Sequence, residues 1–185
     1  MGSRGLTGFA GFLLGSVARS VAKHARCSVL VARGSHERVS SVVLAVDDSR
    51  HAADALRASV LLPLPTEAEI AVTHVVRPYV PYAALGSEFV MGLEGMIESV
   101  RDTQRADARR LVDQACAQLA KAGKHPVGVI REGDPATEIL TVAREREADL
   151  VVAGARGVSL IEGFVMGSVA DRLLTDAATS LLIAR

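Results

Sequence analysis

This sequence of 185 residues contains no tryptophan, only 3% aromatic residues and just two cysteines, Cys27 and Cys116. With so few aromatic rings, any hydrophobic core must be aliphatic. Two distant cysteines exclude a disulfide framework and a C-x-x-C metal pair, so we expect a cytoplasmic protein whose thiols pack as small buried hydrophobic groups. No run of 18 or more apolar residues occurs, so no segment is predicted to span a membrane.

The chain also has no net charge, because 21 basic residues balance 21 acidic ones. No basic patch with interleaved aromatic residues is present, which argues against a nucleic-acid partner. The five histidines show no metal-ligand spacing, so no metal site is predicted. His74, inside an apolar run, is expected to be an ordinary sheet residue. No Ser-His-Asp arrangement or acid/base pair of carboxylates is recognisable, so no catalytic residue is assigned.

What the chain has in abundance is aliphatic sequence, since 49% of its residues are hydrophobic. Apolar β-branched runs predict strands at 39–46, 68–76, 126–131, 149–153 and 180–184, and helical periodicity between them predicts helices. Strands alternating with helices indicate an α/β fold with a doubly wound parallel sheet covered on both faces. The segment containing Glu145, Glu147 and Asp149 is predicted to be a solvated helix end.

Local signals set the predicted helix boundaries. Ser49 or Asp48 is expected to cap the helix that follows the strand predicted at 39–46. Gly123 is expected to close a long helix over 94–122, and Asp134 followed by proline should begin the next one. The apolar positions that fit one face of the long helix are Met96, Val100, Ala108, Leu111, Ala115 and Leu119.

The two ends of the chain repeat each other. Residues 2–33 and 154–185 align without a gap, and both read G-x-x-G, nine residues, then G-S. Residues 1–33 are therefore interpreted as the closing loop, helix and strand of a repeat whose front is missing, 34–39 as a linker and 40–185 as a complete domain. The apolar run at 6–14 resembles a secretory signal, but the C-terminal copy has the same pattern, which favours a domain element.

The first copy contains a strand, at 27–32, with no sheet of its own. Val17, Val21 and Ala25 are predicted to form an apolar helix face beside it. Because an exposed strand edge invites aggregation, we expect this unit to dock against the strand at 180–184, in the same or another chain. The partner predicted for that edge is thus either a second subunit, giving a homodimer, or the N-terminal repeat.

The repeated glycine pattern is typical of a phosphate site. Gly154 ends a buried strand, where a missing side chain lets backbone approach a ligand, and Gly157 is expected to allow a turn with positive φ. Gly167 and Ser168 begin a helix, whose free N–H groups and positive dipole end attract phosphate. The alternative is that the glycines only cap a helix and turn a loop. No lysine follows Gly167, so this is not a Walker A loop.

Three further residues are candidates for the same site. Asp47 ends a strand and could accept hydrogen bonds from ribose hydroxyls, or could instead cap a helix. Val75 ends the neighbouring strand and could wall a base, although strand valines usually pack in the core. Arg156 could touch a phosphate or be a solvated loop residue.

The chain resembles the universal stress protein family, part of the adenine nucleotide alpha hydrolase-like fold. The resemblance covers residues 40–185 and rests on five motifs: V-D-D-S at 46–49, H-V-V at 74–76, G-D-P-A-T-E-I-L at 133–140, A-D-L-V-V-A-G-A-R-G at 148–157 and G-S-V-A-D-R-L-L at 167–174. It implies a five-stranded parallel sheet in the order 3-2-1-4-5 and frequent dimerisation through the fifth strand. Asp48 departs from the glycine common in the family.

The resemblance also implies ATP binding, with or without Mg²⁺. It places Ala45, Asp47 and Val75 at the adenosine. The phosphates would be held by Gly154, Gly157, Gly167, Ser168 and Val169. We therefore expect a nucleotide-dependent stress-response sensor or adaptor rather than an efficient enzyme. The alternatives are a slow ATPase or phosphotransfer enzyme, and a dimerisation or interaction module that needs no nucleotide.

Overall fold

The computed structural model describes residues 14–34, 38–78, 94–157 and 166–185. The first glycines of the N-terminal copy, residues 35–37 of the predicted linker and residues 158–165 of the glycine loop lie outside these ranges. The strands are β1 Val29–Val31, β2 Ser41–Ala45, β3 Glu69–Val76, β4 His125–Glu132, β5 Leu150–Gly154 and β6 Ser180–Ala184. The helices are α1 Ser16–His24, α2 Arg50–Leu61, α3 Glu94–Lys121, α4 Pro135–Glu145 and α5 Ser168–Asp176.

The six strands form one sheet in the order β1-β6-β5-β2-β3-β4. β2 to β6 are all parallel, and their order is the 3-2-1-4-5 order implied by the family resemblance. β1 adds a sixth strand, antiparallel to β6, at the edge where docking was predicted. The doubly wound α/β prediction is therefore confirmed, with one antiparallel strand added.

The sheet is covered on both faces by aliphatic side chains. Successive residues of a strand point to opposite faces, so Val43 lies in one core cluster while Val42 and Leu44 lie in the other. Residues of α1, α4 and α5 belong to the first cluster, and residues of α2 and α3 to the second. Strands buried on both sides explain the continuous apolar runs of the sequence.

The predicted boundary residues act as expected at three places. Ser49, not Asp48, caps α2, because its side chain accepts from the N–H of Ala52. Asp134 caps α4 by accepting from the N–H of Thr137 at 3.0 Å. Gly123 follows α3 with φ of +73°, a left-handed conformation that glycine adopts without strain.

Several predictions about burial are wrong. Met96 is 68% exposed and its neighbour Ile97 is buried in its place. Cys27 is exposed, contrary to the prediction, whereas Cys116 is half-buried and packs against the second core cluster. Asp149 is buried, and its carboxylate accepts from the backbone N–H groups at the start of β2.

In the N-terminal copy, the strand docks as predicted but the helix buries a different face. β1 pairs with β6 as expected, but Val17 and Val21 are exposed. The buried face of α1 instead carries Ala18 and Ala22, whose small side chains let the helix lie close to the core. In the described ranges, no helix is long and apolar enough to cross a membrane.

Candidate functional site

A cavity of about 700 Å³ opens at the carboxyl ends of β2, β3 and β5. β2 lies between β3 and β5, and the chain order reverses there, which is where doubly wound sheets bind ligands. The structure brings all nine predicted site residues to this one cavity: Ala45, Asp47, Val75, Gly154, Arg156, Gly157, Gly167, Ser168 and Val169. The volume falls within the range typical of small-molecule sites, roughly 300–1,000 Å³.

Asp47 lies two residues after the end of β2 and is half-buried at the cavity wall. Its Oδ1 accepts a hydrogen bond from the N–H of Ser49 at 3.1 Å, which fixes the carboxylate at the start of α2. Its Oδ2 lies 2.6 Å from the point where a Cβ on Gly157 would sit. A Cβ on Gly157 would therefore push this carboxylate aside. The φ of Gly157 is not positive, so the predicted positive-φ turn is wrong.

Gly154 has a different role from the one predicted. A Cβ added there would lie 2.6 Å from both the carbonyl carbon and the carbonyl oxygen of His51. The missing side chain therefore admits the first turn of α2 rather than a ligand. Gly154 still lines the cavity with its backbone, at the carboxyl end of β5.

The N-terminus of α5 faces the cavity through Gly167, Ser168 and Val169. Gly167 is the cap residue and has no side chain, so the first N–H groups of the helix receive no side-chain cap. A Cβ on Gly167 would lie 3.3 Å from the Cα of Arg156, so the start of α5 packs closely against the segment that follows β5. These features give a positively polarised floor suited to an anion.

Other residues of the cavity were not predicted. Thr73, His74 and Arg77 come from β3 and its end, and Ile139 comes from α4. Nδ1 of His74 lies 2.8 Å from the carbonyl oxygen of Val46. Because a carbonyl only accepts, Nδ1 carries the proton, and His74 is a satisfied sheet residue as expected.

Two more unpredicted residues reach the cavity from the N-terminal copy. Lys23 and His24, in the last turn of α1, line it together with the residues of the second copy. The Nζ of Lys23 lies 2.8 Å from Oδ1 of Asp171, in the first turn of α5. No signal in the sequence points to this, because it depends on how β1 and β6 pair.

Among the described residues that line the cavity, the charged ones are Lys23, Arg77 and Arg156 on the basic side and Asp47 and Asp171 on the acidic side. The balance favours an anionic ligand. Within the described ranges no group of three or more histidines, cysteines or acidic residues could hold a metal ion.

A sequence model of the universal stress protein family matches residues 1–33 and 39–185, which is nearly the whole chain. The chain belongs to this family. Universal stress protein YxiE of Bacillus subtilis is 29% identical over 146 residues, covering 79% of this chain and 99% of YxiE.

Solved structures of universal stress proteins share the fold. UspA of Lactobacillus plantarum superimposes with a TM-score of 0.68 at 20% identity, covering 81% of this chain and all of UspA. A universal stress protein in complex with cAMP gives a TM-score of 0.58 at 21% identity, covering 80% of this chain and 98% of the other. At these identities the likeness concerns the fold alone.

Proposed function

We propose that this universal stress protein binds ATP and acts as a nucleotide-dependent sensor or adaptor in the stress response. The observation that carries the proposal is the meeting of three separated segments, at 45–47, 154–157 and 167–169, around one cavity with a helix N-terminus. A family member with the same fold holds cAMP, which supports an adenine nucleotide as the ligand class.

The cavity offers a distinct environment for each part of the nucleotide. Ala45, Val75 and Ile139 provide apolar walls for a base. Asp47 keeps Oδ1 on Ser49, and its Oδ2 is available to accept from a ribose hydroxyl. The uncapped first turn of α5 suits the phosphate groups.

Mg²⁺ fits only as a companion of the phosphates. Asp47 and Asp171 are the carboxylates among the described lining residues, and they do not form a metal cluster. Mg²⁺ commonly binds through one or two carboxylates together with substrate phosphates and water. The ion would then neutralise phosphate charge, while the protein side chains hold and orient the nucleotide.

The test begins with the small molecules released by heating the purified protein, separated by ion-exchange chromatography. We expect ATP or ADP in near-stoichiometric amount, and calorimetric titration of the emptied protein should show ATP binding. An empty protein that gives no heat with ATP would refute the proposal. Phosphate release well above a blank would instead favour the slow ATPase alternative.

A pair of glycine substitutions tests the site itself. In Gly157→Ala the new methyl group would meet Oδ2 of Asp47 at 2.6 Å, so the carboxylate must move. We expect ATP affinity to fall by about ten-fold or more, which corresponds to one lost charged hydrogen bond. Gly95→Ala is the control, because no atom lies within 4 Å of a Cβ at that position. Equal ATP affinity in both variants would contradict the assignment.

A further inference from the structure

The N-terminal copy docks on the body of the protein through a contact that has two-fold symmetry within one chain. Counterparts in the repeat lie 152 positions apart, as Gly2 and Gly154 do. In the pairing of β1 with β6, Leu30 lies opposite Leu182, which is its own counterpart. The flanking pairs exchange counterparts: Val29 with Ile183 and Val31 with Leu181. Such reciprocity is the mark of an isologous interface.

Side chains repeat the same reciprocity. The guanidinium of Arg33 donates to the carbonyl oxygen of Leu174 at 2.6 Å. Arg185, the counterpart of Arg33, donates to the carbonyl oxygen of Ala22 at 2.7 Å, and Ala22 is the counterpart of Leu174. Each arginine thus supplies donors to the last turn of the opposite helix, where free carbonyls and the negative dipole end favour a cation.

The symmetry breaks at the cavity. On one side, Lys23 of α1 pairs with Asp171 of α5, with 2.8 Å between Nζ and Oδ1. At the reciprocal position, Arg19 donates to the hydroxyl of Thr175 at 2.9 Å. Only the first of these pairs borders the cavity, since Lys23 and Asp171 line it and Arg19 and Thr175 do not.

Lys23 has the properties of an anion ligand in this place. Asp171 puts a negative charge in the first turn of α5, beside Gly167 and Ser168, where it would repel a phosphate. Lys23 offsets that charge, and its side chain keeps 32% of its surface exposed. An ion pair this exposed contributes little to stability, so a multiply charged phosphate can compete for the ammonium group.

We infer that Lys23 binds the terminal phosphate groups of the nucleotide, so that the site is built from both copies of the repeat. The inference rests on the proposed ATP site and deepens it. In the proposed site, β2, β3, β5 and the start of α5 would hold the adenosine and the first phosphate. Lys23 reaches in from α1, supplies three N–H donors on a flexible stem and favours a triphosphate over a monophosphate.

The test compares ATP and AMP by calorimetric titration of the full chain, as wild type and as Lys23→Gln. We expect Lys23→Gln to weaken ATP binding about ten-fold, the loss of one charge-assisted hydrogen bond, and to leave AMP affinity within about two-fold. Lys23→Arg should keep most of the preference for ATP. Arg19→Gln is the matched control, because it removes a cation from the same helix and interface but not from the cavity.

Each outcome decides the inference. A Lys23→Gln variant that binds ATP as tightly as the wild type would overturn it and leave the ATP site standing. Equal weakening of ATP and AMP, or the same loss in Arg19→Gln, would show a structural effect of docking and would also overturn it. A wild type that binds neither nucleotide would refute the proposed function, and Lys23 would have no phosphate to bind.

Discussion

Gly154 gives the sharpest prediction about what the repeated glycines do. In Gly154→Ala the new methyl carbon would lie 2.6 Å from the backbone carbon and oxygen of His51. Carbon atoms in contact prefer about 3.5–4.0 Å, so the end of β5 and the first turn of α2 must separate by about 1 Å. Ser49 resists this movement, because it caps α2 and its hydroxyl also donates to the carbonyl oxygen of Arg156 at 3.2 Å.

Overpacking of this kind costs about 1–3 kcal/mol. For a chain of this length that corresponds to a fall of about 2–12 °C in Tm, at about 2–4 °C per kcal/mol. The assay is urea unfolding of the nucleotide-free protein followed by far-ultraviolet circular dichroism. Nucleotide is left out so that binding does not add to the measured free energy of unfolding.

Gly95→Ala is the control for the general effect of removing a glycine. Gly95 lies in the first turn of α3 with open space around its Cβ position, so alanine should raise the free energy of unfolding by at most about 1 kcal/mol. A Gly154→Ala variant as stable as the wild type would refute the packing argument. It would return Gly154 to the role first predicted, that of letting backbone approach a ligand.

Three further predictions concern the rest of the chain. Arg33→Ala removes two buried charged hydrogen bonds to carbonyls at the end of α5. We expect the free energy of unfolding to fall by about 2–4 kcal/mol, and an unchanged urea unfolding curve would contradict this prediction. Asp134→Ala should cost about 1 kcal/mol at neutral pH. Hydrogen bonds from Thr137 lower the pKa of Asp134 in the folded protein. The stability that Asp134 contributes is therefore complete above its ordinary pKa and is lost as the pH falls through the lowered pKa. A stability difference between Asp134→Ala and the wild type that persists at about pH 2 would argue against this. A thiol reagent should modify exposed Cys27 before half-buried Cys116, whose pKa is raised by burial and by a neighbouring carboxylate; loss of the fast phase in Cys27→Ser checks the assignment.

The sequence was sufficient for the fold because its signals are local and agree with one another. Gly123, Asp134 and Ser49 mark helix ends by their own backbone chemistry, and the alternating strands and helices leave few topologies. The site could be located for a related reason. Parallel strands bring their carboxyl ends to one edge of the sheet, so Asp47 and Gly154 had to lie close together.

The errors arise where a contact depends on the packing of distant segments. Asp149 lies in a segment with the composition of a solvated helix end, but its carboxylate accepts from the backbone N–H groups of Ser40 and Ser41 at the start of β2. Gly154 is predicted to admit a ligand and Gly157 to allow a turn, whereas Gly154 admits the backbone of His51 and Gly157 lies against the carboxylate of Asp47. Local sequence carries no information about such neighbours.

The docking of β1 on β6 places the N-terminal copy in competition with a second subunit for the same sheet edge. That edge is already paired within the chain, so a second subunit must displace β1, whose effective concentration is high because it is covalently attached. In a symmetric dimer through the same edge, the position of Lys23 over Asp171 would be taken by Thr175 of the partner subunit, which carries no charge. If Lys23 binds the terminal phosphates, ATP stabilises docking of the N-terminal copy by the same free energy by which docking strengthens ATP binding. ATP would then oppose dimerisation through β6, and light scattering with and without ATP would show fewer dimers in its presence.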